Sequence, residues 1–255
     1  MRFCIVFLMT VLLSACAATP ADNALTVENN DPFEPFNRTV FSVNMTFDEY
    51  LFRPVVNGYR FVVPQPAREG VSNFFDNLNT PLTLSNNVLQ GRLKRAGITA
   101  ARLIINTVAG FFGTYDVAAK IGLEKEKSGF GDTLGVWGVP SGPYLVLPLF
   151  GPSDIRSAAG LGADVFLNPM TYAASNNHKR ETDWFFRTET AVGAFVSYNN
   201  AIDLLDDLKK NSLDFYAATR SMYQQYRDAR INRLKGISEE TADGDDVYEF
   251  SLDDE

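Results

Sequence analysis

The sequence predicts a mainly α fold arranged as one helical domain, on three observations. Apolar residues return at three- and four-residue spacing along most of the chain, the period of an amphipathic helix. No segment of strand length alternates apolar with polar residues, so no sheet is expected. The one long apolar stretch that fits neither pattern, residues 129–154, is broken by Gly and Pro rather than by charge. It reads as irregular backbone within the helical body.

The chain opens on Met1-Arg2, a short basic start, and Phe3 to Leu13 is an apolar run of signal-peptide rather than membrane-span length. The run ends in Leu13-Ser14-Ala15-Cys16, the pattern at which a bacterial lipoprotein signal is cut and the Cys lipidated. Residues 1–15 are therefore expected to be a signal peptide, Cys16 the lipid anchor, and residues 16–30, small and polar, a tether. Ala17 stands where an Asp would retain a lipoprotein at the inner membrane, so the outer membrane is the expected location. Removing the leader also removes Cys4 and leaves 240 residues with one acylated Cys. That excludes an intramolecular disulfide, a Cys nucleophile and a Cys-based metal site. The formal charge of −8, or −9 without Arg2, argues against nucleic acid. No remaining window holds 18 uninterrupted apolar residues, so deeper contact with a bilayer would use amphipathic elements.

Asp31-Pro32-Phe33-Glu34-Pro35 starts the first helix, with an acidic first turn that contains Pro. Phe36, Val40, Val43 and Phe47 then keep four-three-four spacing, while Phe33, Phe41 and Met45 carry apolar surface onto a second face. The residues between, Thr39, Ser42, Asn44 and Thr46, are uncharged. Such a helix is either buried or lies in a bilayer interface. Arg53 to Pro66, marked by Pro54, Pro64 and Pro66, reads as an extended connector. Ala67 to Asn79 is helical, with Val71, Phe74, Phe75 and Leu78 in one stripe, and Pro81 restarts a helix that ends at Gln90-Gly91. Arg92 to Phe112 is the next helix, with Leu93, Ala100, Ile104, Val108 and Phe111 along one side. Its cations, Arg92, Lys94, Arg95 and Arg102, either meet phospholipid phosphates or form a solvated or salt-bridged face. Asp116 to Gly122 is a short helix.

Ten of the 26 residues from Gly129 to Asp154 are Gly or Pro, where 18 Gly and 12 Pro in 255 residues would place about three. Gly costs about 1 kcal/mol and Pro about 3 in a helix interior, so neither a helix nor a central strand is expected here. Leu134, Val136, Trp137, Leu145, Leu149 and Phe150 are too apolar for a solvated loop. Irregular apolar backbone is viable when buried in protein or lining a cavity, so the stretch is a buried loop or the wall or hinge of a passage. Pro152-Ser153-Asp154 opens a helix whose Ala158, Ala159, Gly160, Gly162 and Ala163 let a neighbour approach closely. Glu181 to Lys210 is one long helix or two, with Trp184, Thr188, Ala191, Phe195, Tyr198, Ile202 and Leu205 on its apolar side. Ser212 to Lys235 is the last helix, with Phe215, Ala218, Met222, Tyr226 and Ala229 expected inward. Its Arg220, Arg227, Arg230 and Arg233 suit the negative end of the dipole. Residues 31–236 thus make the helical domain, and 237–255 an acidic tail expected to be disordered.

Little in the chain assembles into hydrolytic chemistry. His178, the single His, sits in the polar run Ser-Asn-Asn-His-Lys-Arg, and Ser141 lies in Val-Pro-Ser-Gly-Pro rather than in a nucleophile elbow. No H-E-x-x-H occurs, and Gly160-x-Gly162 lacks the rest of a nucleotide loop. No enzyme, metal or cofactor is expected.

Several blocks in order carry a resemblance. They are DPFEPFNRTVF from Asp31, RPVVNGYRFVVPQPAREGVSNFFDNL from Arg53, NTVAGFFGTYDVA from Asn106, FGDTLGVWGVPSGPYLVLPLFGPSDIR from Phe130 and SLDFYAATRSMYQQYR from Ser212. The chain resembles, along nearly its whole mature length, the MlaA (VacJ) lipoproteins of Gram-negative outer membranes. That family often reads Gly-x-Gly-x-Gly-Pro-Tyr where Pro140 stands in this chain, which makes the corner stiffer. Ser157 replaces an acidic residue common after Arg156, so no charge role passes to it.

The resemblance implies a single ring- or doughnut-like helical domain lying in the inner leaflet of the outer membrane, with the irregular apolar segment lining a central amphipathic channel. Held against trimeric porins, it would take mislocalised phospholipids from the outer leaflet. It would pass them to a periplasmic carrier of the MlaC type, which feeds an ATP-driven inner-membrane complex. Gly135, Trp137, Gly138, Gly142, Pro143 and Tyr144 are then expected to line the channel or form its hinge. Phe41, Val43, Asn44 and Phe47 are the candidate gate beside it. The alternatives are a porin-associated structural lipoprotein without transport and an envelope phospholipase.

Overall fold

Two readings of Pro in the first half of the chain are overturned by the computed structural model. This model describes residues 31–168 and 179–236, and the side chains of all of these except 179–190. The expected signal, tether, acidic tail, Cys16 and His178 lie outside the described residues.

Helix α1 (Glu34–Phe47) does not give way to an extended connector. It runs through a π-helical turn (Asp48–Phe52) directly into α2 (Arg53–Val62). In the wide turn the Arg53 N–H reaches back five residues to the Asp48 carbonyl, so the donor that Pro54 lacks falls where the ladder is already shifted. The helix ends at Val63, which is extended before Pro64. Helix α3 (Gln65–Leu89) likewise passes through Pro81 instead of restarting there. Asn79 Nδ2 and Thr80 Oγ1 donate to the Phe75 and Asp76 carbonyls at 3.0 Å each, supplying bonds in the turn where Pro81 offers none.

Gly91, left-handed at φ +72°, ends α3 as expected, and α4 (Leu93–Val108) follows. It stops four residues earlier than its pattern suggested, because Phe111 and Phe112 both adopt left-handed backbone, at φ +52° and +56°. After the one-turn α5 (Val117–Lys120) comes the Gly/Pro-rich stretch, and here the expectation of neither helix nor strand fails. Helix α6 (Phe130–Val136) begins it, and an antiparallel hairpin, β1 (Tyr144–Leu147) with β2 (Gly151–Asp154), ends it. The hairpin turn uses left-handed backbone at Leu149 and Gly151, and Pro152 sits opposite Val146.

Helix α7 (Ile155–Leu167) starts at Asp154, whose carboxylate accepts the Ser157 N–H at 2.7 Å. Its small residues serve as expected: a Cβ on Gly160 would lie 2.2 Å from the Gly131 nitrogen of α6. Helix α8 (Lys179–Asn211) is one long helix, and α9 (Phe215–Lys235) closes on the left-handed Gly236.

The interior is more polar than apolar. Among the described residues 19 polar or charged side chains are buried against 11 apolar ones, while 29 large apolar side chains are exposed. A water-soluble fold sorts the other way, and so much exposed apolar surface marks contact with lipid or protein. The stripes read from the sequence show it directly. Phe36, Val43 and Phe47 of α1, and Leu93, Ile104 and Val108 of α4, all face outward. The faces turned inward are Asn37, Phe41 and Asn44 on α1, and Ala96, Thr99, Arg102 and Asn106 on α4.

Candidate functional site

Asn37 and Asn44 fasten α1 to the edge of β1. Asn37 Nδ2 donates to the Tyr144 carbonyl at 3.0 Å and its Oδ1 accepts the Val146 N–H at 2.9 Å. Asn44 repeats the arrangement, donating to Leu147 O and accepting from Leu149 N–H, at 2.9 Å each. Seven helical residues rise about 10.5 Å, and three strand residues advance about 10 Å, so the two amides meet the same edge at matching intervals. Phe41, between them, stacks edge-on against Phe215 and Tyr216 at 5.3 and 5.5 Å, in one cluster with Tyr144 and Val146. The candidate gate is therefore divided. Phe41 and Asn44 face the hairpin, while Val43 and Phe47 lie exposed.

The residues expected to line a channel also fall in different places. Gly135 lets α6 approach α9, since a Cβ there would lie 2.6 Å from Ile231 Cδ1. Trp137 is exposed, with its Nε1–H on the Leu89 carbonyl at 3.1 Å. Gly138 and Gly142 are left-handed at φ +92° and +70°, and Gly142 abuts Ile155. The Pro143 carbonyl accepts the Ile155 N–H, and Tyr144 is buried in the core cluster. Arg156 pins this corner by donating to the Val139 carbonyl at 2.8 Å.

Helix α9 keeps Phe215 inward as expected, packed on the core cluster, but carries most of its inward contacts on the neighbouring face. Tyr226 is exposed, and the inward line is Tyr216, Arg220, Tyr223, Arg227 and Arg230 at four- and three-residue spacing. Each meets a carboxylate carried by another element. Tyr216 and Arg220 donate to Asp31, Tyr223 to Asp154 at 2.8 Å, and Arg227 and Arg230 to Asp132 at 2.6 and 2.8 Å. Burial raises the pKa of Asp132, but Arg230 and Arg227 outweigh it and hold the carboxyl below the usual range. Burial also pushes the Tyr223 phenol up to about 12. The arginines thus bind buried acids rather than decorate the helix end, which an apolar-stripe reading does not see.

Beside this ladder lies a cavity of about 520 Å³. Its wall comes from α3 (Asp76, Asn77, Thr83), α4 (Thr99, Arg102, Asn106), the loop segment 125–129, α8 (Ala194, Val196, Asn200) and Arg230. Phe75 and Leu82 add apolar surface. Of the stretch 129–154, only Gly129 borders it, and none of the expected lining or gate residues does. Arg102 grips Asp116 through two bonds at 3.0 and 2.8 Å, and Asn106 adds a third at 3.0 Å. Burial raises the Asp116 pKa, but Arg102 and Asn106 bring it below the ordinary value. Arg92 and Arg95 pair with Glu126 and Glu124, so this part of the α4 patch is a salt-bridged face. The cavity signal was present in the sequence: Thr99, Arg102 and Asn106 recur at three- and four-residue spacing opposite the apolar stripe of α4.

Among the described residues no cluster of His, Cys, Asp or Glu could hold a metal ion, and no helix is long and apolar enough to cross a membrane. Comparison with known proteins gives a consistent result. The MlaA lipoprotein family model matches residues 29–230. The chain is 38% identical over 240 residues to the intermembrane phospholipid transport system lipoprotein MlaA of Escherichia coli K12, spanning 91% of this chain and 89% of the relative. It is 29% identical over 252 residues to the lipoprotein of the same name from Haemophilus influenzae, spanning 94% and 96%. An uncharacterised protein of Rickettsia prowazekii is 34% identical over 206 residues, 80% of this chain and 79% of that one. A solved structure described as the structural basis for maintenance of bacterial outer membrane lipid asymmetry matches at 36% identity with a TM-score of 0.67. It covers 79% of this chain and 99% of its own.

Proposed function

The chain belongs to the MlaA lipoprotein family, and from that premise we propose that it is the outer-membrane lipoprotein of an intermembrane phospholipid transport system. It removes mislocalised phospholipids from the outer leaflet, passes them through a channel to a soluble periplasmic carrier of the MlaC type, and so maintains lipid asymmetry. It is anchored through Cys16, sits in the inner leaflet beside trimeric porins, and makes and breaks no bond in the lipid.

The observation that carries this reading is the inverted sorting of side chains, with apolar residues outside and a polar cavity within. Helices that show Phe36, Phe61, Ile104 and Val108 to their surroundings, with Phe112 exposed in the turn after α4, are suited to acyl chains. A cavity walled by Asn, Thr and paired charges, with Phe75, Leu82 and Val196 among them, is suited to a headgroup and the first carbons of its tails. The magnitude explains why a passage is needed. At about 0.8 kcal/mol per methylene, exposing two chains of roughly 15 methylenes to water costs on the order of 20 kcal/mol. A route that wets the headgroup and shields the tails lowers that barrier without chemistry.

We read the cavity as the bore, enclosed by α3, α4, the 125–129 segment and α8. The corner from Gly135 to Tyr144 and the gate residues of α1 then act as the hinge and its brace, not as the bore's wall. The test is outer-leaflet phospholipid labelling in a deletion strain complemented with this chain. Labelling is expected to rise on deletion and return to the parental level on complementation. Unchanged labelling on deletion would leave the scaffold alternative standing, and release of free fatty acid by the purified chain would favour the phospholipase.

A further inference from the structure

Most charges on and behind the cavity wall are balanced. Arg102 holds Asp116, Arg92 and Arg95 stand against Glu126 and Glu124, and the three arginines of the α9 ladder stand against Asp31, Asp132 and Asp154. Lys125 and Lys127 differ, because they share one carboxylate. Lys125 Nζ lies 2.7 Å from Asp76 Oδ2, and Lys127 Nζ lies 2.5 Å from Asp76 Oδ1. Two ammonium groups on one carboxylate leave one unit of positive charge over at this edge of the cavity, in a chain whose net charge is −8.

The segment that carries these lysines is fixed while their heads are free to turn. Its backbone is held at the Leu123 carbonyl by Arg102 and at the Lys127 carbonyl by Arg230, and Glu126 is held by Arg92. The two lysine side chains are 40% and 62% exposed, on flexible stems that present a compact charge. Asp76 is only 17% exposed, so its carboxylate is costly to leave alone. With two lysines present it is never alone, because one can turn to an entering anion while the other stays.

We propose that Lys125 and Lys127 hold the phosphodiester of a phospholipid headgroup in the cavity, the phosphate taking over one of the two lysines that Asp76 engages in the empty site. This rests on the passage reading above. A phosphodiester carries one negative charge, which matches the surplus, and its free oxygens accept from ammonium donors in charge-assisted bonds. Asp76 keeps the pair in place when the cavity is empty and limits affinity, so that a lipid entering the site also leaves it.

A purely structural role for the trio, pinning the loop to α3, predicts that removing either partner weakens the protein in the same direction. Displacement predicts opposite signs. The test is equilibrium dialysis of the full chain, purified in a maltoside detergent, against radiolabelled dihexanoyl phosphatidylethanolamine, glycerophosphoethanolamine and inorganic phosphate. K125Q/K127Q is expected to weaken binding of the short-chain lipid about tenfold, and D76N to tighten it several-fold. Melting temperatures measured alongside establish that both variants are folded, and K125R/K127R is expected to restore most of the binding.

Binding that K125Q/K127Q leaves within twofold of the parent overturns the proposal and leaves the passage reading in place. Weakening by D76N as well as by K125Q/K127Q overturns it in favour of a structural pin. Inorganic phosphate bound as tightly as the lipid, with the same response to the variants, makes the source free phosphate and overturns the headgroup assignment. No binding of any short-chain phospholipid by the parent chain overturns the passage reading itself, and this proposal with it.

Discussion

Replacing Asn37 by Ala tests whether a helix side chain holds the hairpin edge. Asn37 is 0% exposed and uses both ends of its amide. Its Nδ2 donates to Asp31 Oδ1 at 2.7 Å and to the Tyr144 carbonyl at 3.0 Å, and its Oδ1 accepts the Val146 N–H at 2.9 Å. Alanine removes all three bonds. Asp31 keeps Tyr216 and Arg220, so its loss is minor, but the Val146 N–H and the Tyr144 carbonyl lose their partner in a buried site. A buried polar group left unmatched costs about 1–3 kcal/mol, which places the two together at about 3–5 kcal/mol. In a domain of about 200 residues each kcal/mol lowers Tm by about 2–4 °C, so a fall of about 10–15 °C is expected. The assay is thermal unfolding of the full chain in detergent, followed by far-ultraviolet circular dichroism. Asn37→Asp, which keeps the acceptor but loses both donors beside Asp31, should be at least as damaging. A fall of less than about 3 °C for Asn37→Ala would refute the reasoning.

Other perturbations give equally definite outcomes. Gly160→Ala sets a methyl 2.2 Å from the Gly131 nitrogen and should lower stability by about 3 kcal/mol or more, whereas Gly162→Ala meets open space within the helix and should raise it by up to about 1 kcal/mol. Equal melting temperatures for the two would disprove the close α6–α7 approach. Because the folded-state pKa of Asp132 lies below its unfolded value, its stabilisation is complete above about pH 4 and is lost as pH falls through the folded value. Asp132→Asn should therefore be less stable at pH 7 and unfold with a shallower acid dependence, and an unchanged acid slope would contradict this. Phe36→Ser, Phe61→Ser and Phe112→Ser combined should leave Tm in detergent within about 3 °C of the parent yet weaken sedimentation with phospholipid vesicles several-fold. A large loss of Tm with full vesicle binding would show that these rings pack inward.

Helix positions were largely legible from the sequence, because apolar period, Gly stops and Asp caps are local signals. The small-residue helix from Ile155 and the stop at Gly91 needed nothing beyond their own neighbourhoods. An apolar stripe does not by itself say which way it faces. Leu93, Ile104 and Val108 are legible as a stripe, but the sequence does not state which solvent surrounds it. The same holds for α9, whose arginines and Tyr223 reach acids 69 to 189 residues away in the chain, pairings that no local window contains. The hairpin escaped notice because its edge is satisfied by two asparagines of a distant helix, so β1 needs neither alternation nor a third strand. The cavity leaves only a faint trace in the sequence. Its wall is polar, and buried Asn and Thr resemble a solvated face until the helices are assembled.

The widened turn at Asp48–Phe52 has a geometric consequence for both faces of the first 29 helical residues. The inward set on α1 is Asn37, Phe41, Asn44 and Asp48, and the next fully buried position is Val56, eight residues on. Eight residues of uninterrupted α-helix would rotate Val56 about 80° away from that set, whereas seven would bring it back into line. The turn absorbs the surplus residue, so Val55 and Val62 continue the outward line of Phe36, Val43 and Phe47, and Arg60 reaches Asp203 of α8 at 2.6 Å. Excising a single residue there would leave Val56 seven residues after Asp48, so an unbroken α-helix would hold the same faces without the bulge, whereas excising one from the regular turn of α2 before Arg60 would swing Arg60 about 100° from its anchor. The bulge is a phase corrector: it lets one continuous rod present a greasy back and a polar front along its full length.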